Sequence, residues 1–261
     1  MNLDVLRKRN KVVTLVLIFI IILWVVSAQI ANFNVVKGLG SIPKAIVWLF
    51  TRFIPDGDSF SKLPNILEKL IETILLSIAA TTVGAVFALF FGVMGSKVTK
   101  GTKVLSIFSR LVASIFRNVP DAVWAMIFLL SFGQNILTGY FALLFVSFGV
   151  LTRAFIETID ETSDSSVEAL EATGASYFQI VFQGVIPSSL PQMISWVLYM
   201  IETNIRSSTL IGILTGTGIG FVFDLYYKSL NYSVASLVVI TIILAVFIIE
   251  FTSNYVRRVI L

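Results

Sequence analysis

The chain lacks cysteine and histidine altogether and has few charged residues, and each shortage excludes a class of protein. Without cysteine, disulfide bonds and thiolate metal sites are excluded, and without histidine the commonest general base and metal ligand is missing. Charged residues make up 13% of the chain, whereas a soluble domain carries about 25%. The sequence is therefore poorly equipped for catalysis and for covering a surface that faces water.

Hydrophobic residues make up most of the remainder: 57% of the 261 residues are hydrophobic, and the mean hydropathy is +0.94. They occur in continuous runs rather than in alternation with polar residues, which argues against an outer-membrane barrel. The composition predicts an all-α polytopic membrane protein, because only helices and closed barrels satisfy their backbone polar groups inside a bilayer.

Apolar runs of roughly 20 residues, the length that crosses a bilayer, predict about six membrane-spanning helices. Basic residues flank these runs near Arg9, Lys97, Arg153 and Arg257, and the positive-inside rule then predicts that both termini lie in the cytoplasm. The predicted spans are 12–28, 70–94, a crossing that begins near 120, 136–155, 187–214 and 234–250.

Proline and glycine interrupt the apolar pattern in places. Pro120 divides the long segment 104–132, which predicts a helix near the inner face followed by a crossing that begins at the proline. Ser41 and Pro43 predict the start of a short interfacial helix, although an ordinary loop explains them equally well. The glycine-rich stretch 212–220 lacks the Lys-Ser/Thr of a phosphate loop, so we interpret it as a turn or as close backbone packing.

A polar segment, residues 157–187, separates two apolar runs and is cytoplasmic in this topology. Ser165 followed by Glu168 is typical of a capping box, so a helix is predicted to begin there. Glu168 and Glu171 lie in its first two turns, where negative charge is favourable. Gly174 is predicted to end the helix, because glycine tolerates the positive φ of a sharp turn.

A second short helix is predicted over residues 176–183, and it leads to Pro187 and back into the membrane. Two short helices at an angle form a knob suited to a groove on a partner protein, and Tyr177 and Phe178 are apolar residues that such a knob can bury. The alternative is an amphipathic loop that merely re-enters the bilayer.

The polar segment resembles the EAA loop of bacterial ABC importer permeases, the loop that holds the ATPase. In the family pattern, Glu-Ala-Ala is followed by three residues, Gly, nine residues and Ile-x-Leu-Pro. Departures from it are Leu170 for the second Ala, Gly184 where Ile is usual, and Ile186 for Leu. The residues that match in register are Glu168, Ala169, Gly174 and Pro187. We call residues 157–187 the EAA segment.

The resemblance extends from about residue 60 to the C-terminus and is more specific elsewhere. The order Arg-x-x-Pro-acidic-x-Val-Trp-Ala over 117–125 resembles phosphonate permeases, as do 202–209 and the glycine run 216–220. We accordingly divide the chain into an N-terminal span with its extracytoplasmic segment, residues 1–65, and a permease transmembrane domain, residues 66–261.

The resemblance implies a transport subunit of a prokaryotic cytoplasmic membrane, not an enzyme. It implies inward movement of phosphonates by alternating access, with an extracytoplasmic phosphonate-binding receptor and a second permease copy, identical or related. ATP is expected on a separate ATPase dimer, and no cofactor, metal or nucleic acid on this chain. The residues expected at the ATPase are Glu168, Ala169, Glu171, Gly174, Tyr177, Phe178 and Pro187.

Charged residues in the predicted spans are candidates for the translocation path or the dimer seam. Glu202 and Arg206 lie one helical turn apart, so they can neutralise each other in the bilayer. Arg206 can offer a bidentate fork to a phosphonate, or the pair can fix helix packing, and both interpretations stay open. Ser207 and Arg117 are further candidates, although Arg117 can also extend to the inner headgroups.

Other cargoes remain as alternatives within the same architecture: phosphite, phosphate esters, methionine or an amino acid. An intramembrane enzyme is the alternative from another class. It would need a serine paired with histidine or lysine, or two facing aspartates, whereas Asp121 and Asp224 lie near predicted span ends. The sequence therefore favours a transporter.

Overall fold

The structure is a computed structural model that describes residues 3–99 and 102–260, and all regular structure within those residues is helical. This confirms the predicted all-α class. A 3₁₀ turn, Ser59–Lys62, precedes α3, and a π-helical turn, Ile180–Val185, joins α8 to α9. The helices are α1 (Leu3–Ile30), α2 (Val35–Arg52), α3 (Leu63–Gly95), α4 (Lys103–Asn118), α5 (Asp121–Phe132), α6 (Ile136–Thr162), α7 (Asp164–Ala172), α8 (Tyr177–Gln179), α9 (Ile186–Thr215), α10 (Gly218–Lys228) and α11 (Tyr232–Ile260).

Within the described chain, 5 helical stretches are long and apolar enough to cross a membrane, and the pair α4–α5 brings the number to 6 if it forms one bent span. Each of the continuous stretches contains one predicted span, and the total of five or six candidate spans agrees with the prediction of about six. The stretches are Arg9–Ile30, Ser59–Gly95, Ile136–Thr162, Tyr177–Thr215 and Tyr232–Ile260.

The third crossing differs from the prediction, because α5 alone is too short to span a bilayer. Its 12 residues extend about 18 Å at ~1.5 Å per residue, against a hydrocarbon core of ~30 Å. The helix breaks before Pro120 as predicted, and α4 meets α5 at 88°. Pro120 has no N–H for the Phe116 carbonyl, and the Trp124 indole Nε1 donates to that carbonyl instead, at 3.4 Å.

The chain separates into two compact units, residues 1–54 and 55–261. The sequence predicts the boundary at residue 65, and the intervening 3₁₀ turn packs against α11 in the second unit. In the first unit, the predicted helix start at Ser41 is wrong. Asn34 accepts a hydrogen bond from the backbone N–H of Lys37 at 3.0 Å, so the cap forms earlier and Pro43 lies inside α2.

The second unit is built around the close packing of α3 on α6. Small residues on α3 permit this approach, since a Cβ added to Gly92 would lie only 2.9 Å from the Cβ of Phe155. A buried cluster joins α3, α6 and α9 to the EAA segment: Ala88, Phe148, Leu151, Phe155, Ile159, Val167, Ile180, Val185, Met193 and Met200. The polar segment is therefore anchored in the core of the bundle.

The glycine-rich stretch after α9 both turns and packs closely, as predicted. Gly216 has φ +69° and ends α9, and a Cβ added to Gly212 would lie 2.5 Å from the Thr217 carbonyl oxygen. The stretch also begins α10, which the apolar pattern did not predict. The hydroxyl Oγ1 of Thr73 accepts a hydrogen bond from the backbone N–H of Ile219 at 2.9 Å, which secures α10 to α3.

Candidate functional site

The EAA segment turns sharply where glycine was predicted to end its first helix. Gly174 has φ +77°, and its N–H donates to the carbonyl of Glu171 at 3.0 Å. The next N–H, that of Ala175, donates to the carbonyl of Leu170 at 3.1 Å. This pair of hydrogen bonds is a Schellman motif, which satisfies the last carbonyls of α7. The prediction that Gly174 ends the first helix is confirmed.

The predicted capping box at Ser165 is wrong. Helix α7 begins at Asp164 after Ser163, whose Oγ lies 2.9 Å from Oγ of Ser188 on α9. A capping box forms instead in the second half of the segment, where the backbone N–H of Ser176 donates to Oε1 of Gln179 at 2.8 Å. Ser165 and Ser176 both match the sequence pattern, but the capping box forms at Ser176 and not at Ser165.

The second helix of the segment also differs from the prediction. Instead of ending near residue 183, the chain continues from α8 through the π-helical turn directly into α9. Pro187 lies in the first turn of α9. Proline is tolerated there, because the first backbone N–H groups of a helix have no carbonyl partner within the helix. The segment and the following span therefore form one continuous helical path from Tyr177 to Thr215.

The EAA segment has a buried side and an exposed side. Val167 and Val185 are 3% and 0% exposed, because they pack into the core of the bundle. On the other side, Tyr177, Phe178 and Phe182 are 46%, 71% and 64% exposed. Sequence reasoning missed Phe182, although its spacing of four residues from Phe178 indicates one helical face. Exposed aromatics on a rigid support are typical of a protein-binding surface.

A clamp that the sequence did not reveal holds the end of α6, where the EAA segment begins. The carboxylate of Asp160 accepts hydrogen bonds from Ser96 Oγ at 2.6 Å and from the Lys97 backbone N–H at 2.7 Å. The Arg110 guanidinium donates both to Asp160, at 3.1 Å, and to the Gly95 carbonyl, at 2.9 Å. The clamp joins α3, α4 and α6 immediately before α7.

The predicted ion pair in the fifth span is present, and it has a further partner. Nη2 of Arg206 lies 3.0 Å from one oxygen of Glu202, and Nη2 of Arg257 on α11 lies 3.4 Å from the other. Side-chain exposure is 10% for Glu202, 49% for Arg206 and 25% for Arg257. The carboxylate therefore joins α9 to α11 as well as pairing within its own helix, which favours the packing interpretation.

Two residues beyond Glu202 on α9, Asn204 forms a polar junction that sequence reasoning missed. Its side chain is 1% exposed, and Nδ2 donates to Thr81 Oγ1 at 2.7 Å and to Ser147 Oγ at 2.6 Å. The junction joins α9 to α3 and α6, and such interhelical hydrogen bonds stabilise bundles in membranes. An asparagine within an apolar run was the available signal.

The remaining candidate residues lie apart from this junction. Ser207 is half-buried on α9 beside Arg206. Arg117 is exposed near the end of α4 and lines a different groove, together with Arg110 and Arg153. Over the described residues, the carboxylates form no group that could hold a metal ion.

A comparison with known protein families identifies the family to which this chain belongs. Residues 92–260 match the family of binding-protein-dependent transport system inner membrane components. The chain belongs to this family. The matched residues contain the EAA segment, Asn204 and the Glu202 ion pairs, and the chain is a permease component of an ABC importer.

Several known permeases are similar to this one. A phosphate-import permease protein, PhnE, of Mycolicibacterium smegmatis is 27% identical over 212 residues, which are 81% of this chain and 40% of that protein. The phosphite transport system permease protein PtxC of Stutzerimonas stutzeri is 28% identical over 199 residues, 76% of this chain and 72% of that one. A cryptic phosphonate transport system permease protein, PhnE2, of Escherichia coli is 30% identical over 110 residues, 42% of this chain and 90% of that one.

The solved structures confirm the permease fold. The methionine ABC transporter MetNI, in an inward-facing conformation, superimposes with a TM-score of 0.62 at 21% identity, over 76% of this chain and 98% of that one. At this identity the likeness shows the fold alone.

Two departures of the permease from the family's EAA pattern contact each other. A Cβ added to Gly184 would lie 2.8 Å from Cδ1 of Leu170, so the leucine occupies space that a larger residue at 184 would need. The family pattern has a small alanine where this chain has Leu170 and a large isoleucine where it has Gly184. Here the sizes are exchanged, and the large Leu170 is accommodated beside the small Gly184.

Proposed function

We propose that this permease moves phosphonates inward across the cytoplasmic membrane of a prokaryote by alternating access. The observation that carries the proposal is that relatives matched over most of the chain are named for phosphate and phosphite, and a shorter match for phosphonate. These are all small oxyanions of phosphorus. The 117–125 and 202–209 stretches, which resemble phosphonate permeases, support the same cargo class.

The proposed assembly has two permease copies, an ATPase dimer on the cytoplasmic side and an extracytoplasmic receptor that delivers the phosphonate. In it, both termini face the cytoplasm and ATP binds to the ATPase, with no cofactor on the permease itself. The exposed face of the EAA segment docks the ATPase. Support comes from its geometry, since Tyr177 and Phe178 project from a segment whose opposite side is anchored by Val167 and Val185.

Within the bilayer, we propose that Glu202 and Arg206 lie at the dimer seam or beside the translocation path, with Ser207 next to them. Arg206 supports this role because half of its side chain is exposed in the single chain. A half-exposed arginine inside a span needs either a second subunit or water around it. Glu202 holds the arginine in place through the 3.0 Å ion pair.

Uptake of radiolabelled methylphosphonate tests the cargo. Cells that contain the ATPase and receptor but lack other phosphonate transporters are compared with and without the permease. We expect uptake that depends on the permease and is suppressed by excess unlabelled methylphosphonate but not by phosphate. Unchanged uptake without the permease would contradict the proposed cargo and leave the family assignment standing.

Phosphite is the second candidate, favoured by the match to PtxC over 76% of the chain. The same cells distinguish the two cargoes. If phosphite suppresses methylphosphonate uptake at lower concentration than unlabelled methylphosphonate does, phosphite is the preferred substrate. A catalytically inactive ATPase in the same cells is the control, since it should abolish uptake of either cargo.

A further inference from the structure

Helix α2 of the first unit has a basic side and an apolar side. At about 100° per residue, Lys37, Lys44 and Arg52 fall within one arc of about 80°, which we call the basic arc. The opposite side is apolar, and we call it the apolar arc. Its five side chains are all exposed: Leu39, Ile42, Ile46, Leu49 and Phe50. The rest of the first unit therefore leaves this apolar surface uncovered.

The position of α2 along the chain places this surface at the edge of a bilayer. Helix α1 is long and apolar enough to cross a membrane, and only residues 31–34 separate it from α2. Although α2 has 18 residues, it is not among the described helices that are apolar enough to cross. An amphipathic helix at a membrane surface lies in the interface, with its apolar side among the acyl chains. Trp48 lies in the basic arc, and tryptophan is enriched at the level of the headgroups.

The first unit does not compensate the charge of the basic arc. Residues 5–55 contain neither aspartate nor glutamate, and the only acidic residue of the first unit is Asp4, near the start of α1. Lys37, Lys44 and Arg52 therefore need anions from outside the unit.

A membrane that contains anionic phospholipid suits both arcs of α2. A second copy of this chain carries the same positive charge on α2, so two basic arcs repel each other. An acidic protein would neutralise the basic arc but leave the apolar arc in water. A bilayer covers the apolar arc with acyl chains and offers lipid phosphates to the basic arc at the same time.

We propose that α2 is a binding surface for anionic phospholipid. The helix lies in the membrane interface, where Lys37, Lys44 and Arg52 contact lipid phosphates and the apolar arc enters the acyl region. The lipids around α2 are then richer in anionic headgroups than the rest of the bilayer. This surface is separate from the proposed transport of phosphonates and does not depend on the cargo.

Fluorescence quenching in lipid nanodiscs tests the proposal. Because the chain has no cysteine, Ile46→Cys carries a fluorophore on the apolar arc without background labelling. The purified 261-residue chain is placed in mixed phosphatidylglycerol and phosphatidylcholine, and one lipid at a time, at equal mole fraction, carries a nitroxide quencher on its acyl chain. We expect both lipids to quench, and labelled phosphatidylglycerol to quench at least about twofold more strongly. Salt at about 1 M should reduce this preference, since the Debye length falls to ~3 Å.

Charge-removing and charge-conserving variants at the same three positions form a matched pair. Lys37→Gln, Lys44→Gln and Arg52→Gln together should make the two labelled lipids quench equally. Lys37→Arg, Lys44→Arg and Arg52→Lys together should retain the preference, because the charges remain. A fluorophore at Ile243→Cys, an exposed position near the middle of α11, should be quenched to the same extent with and without the charge-removing substitutions.

Two outcomes would overturn the proposal. If neither lipid quenches the fluorophore at Ile46→Cys, a protein surface rather than lipid covers the apolar arc. If both lipids quench it equally at low salt, the basic arc does not select anionic lipid. The salt dependence provides the test of charge if the charge-removing variant does not fold.

Discussion

Loss of Asn204 should weaken the packing of α9, because one amide contacts both α3 and α6. Asn204→Ala leaves a cavity and removes both interhelical hydrogen bonds. We expect the free energy of unfolding to fall by about 1–2 kcal/mol. Thermal unfolding of the purified chain in detergent measures this.

Thr203→Ala is the control for that variant, since the Thr203 hydroxyl bonds only within its own helix, to the Tyr199 carbonyl at 2.9 Å. Its melting temperature should stay within error of the unmodified chain. An equal drop for Thr203→Ala and Asn204→Ala would show that the junction adds nothing specific.

Arg257 should contribute more to stability than Arg206, although the sequence singled out Arg206. When either arginine is removed, Glu202 keeps the other as a partner. Comparing the two variants therefore shows how much each ion pair contributes to the free energy of unfolding. Arg257 is 25% exposed and joins two helices, so we expect Arg257→Ala to cost about 1–3 kcal/mol. Arg206 is 49% exposed and lies on the same helix as Glu202, so Arg206→Ala should cost less than about 1 kcal/mol.

Thermal unfolding in detergent compares these two variants. An Arg206→Ala loss as large as that of Arg257→Ala would contradict the ranking. If Arg206→Ala instead leaves stability intact but lowers methylphosphonate uptake, the residue belongs to the transport path. Uptake is therefore measured in cells that express each variant, and unfolding is measured on the protein purified from those cells.

At the scale of elements, the contact between α7 and the π-helical turn depends on matched sizes. Gly184→Ile places a branched side chain against Leu170, and we expect it to destabilise the segment by about 1–3 kcal/mol. Leu170→Ala leaves a void, and we expect it to destabilise the segment by a similar amount. The double variant should recover most of the loss, with a coupling energy of about 0.5–3 kcal/mol.

A double-mutant cycle on melting temperature and uptake measures that coupling. Additive losses would mean that Leu170 and Gly184 do not share one space. Leu190→Ala, a half-exposed leucine on α9, serves as a control for the effect of shortening a leucine near the segment.

The turn between the two halves of the EAA segment depends on a backbone conformation rather than on a contact. Nothing lies within 4 Å of a Cβ added to Gly174, so only its φ of +77° resists substitution. Gly174→Val should therefore strain the turn by about 1–2 kcal/mol and lower uptake several-fold. Gly174→Asn should be nearly normal, because asparagine tolerates this conformation. Equal uptake by both variants at equal membrane abundance would refute the role of the turn.

At the scale of the whole molecule, the exposed aromatics should determine assembly with the ATPase. We expect the double variant Phe178→Ala and Phe182→Ala to lose most of its ATPase during co-purification, because both side chains are more than half exposed and offer apolar area to a partner. The chain itself should fold normally, since neither ring is in the core. Tyr227→Ala, an exposed aromatic on α10, is the control and should retain the ATPase.

Much of the fold followed from local pattern. The apolar runs predicted every continuous span, because crossing a bilayer requires an unbroken apolar helix whatever its neighbours are. Pro120 predicted the break between α4 and α5, and Gly174 predicted the end of α7, since both residues act through their own backbone. Helix α10 escaped prediction because its residues continue a glycine-rich stretch that reads as a turn.

The sequence by itself determined that this is a membrane permease and where its EAA segment bends. Only the tertiary structure decided that Ser163 faces α9, that Arg257 shares Glu202, that Asn204 joins three helices and that Leu170 occupies the space above Gly184. The physical reason is the separation of the interacting residues along the sequence. Spans and turns follow from neighbours along the chain, whereas each of these contacts joins residues that meet only when separate elements pack.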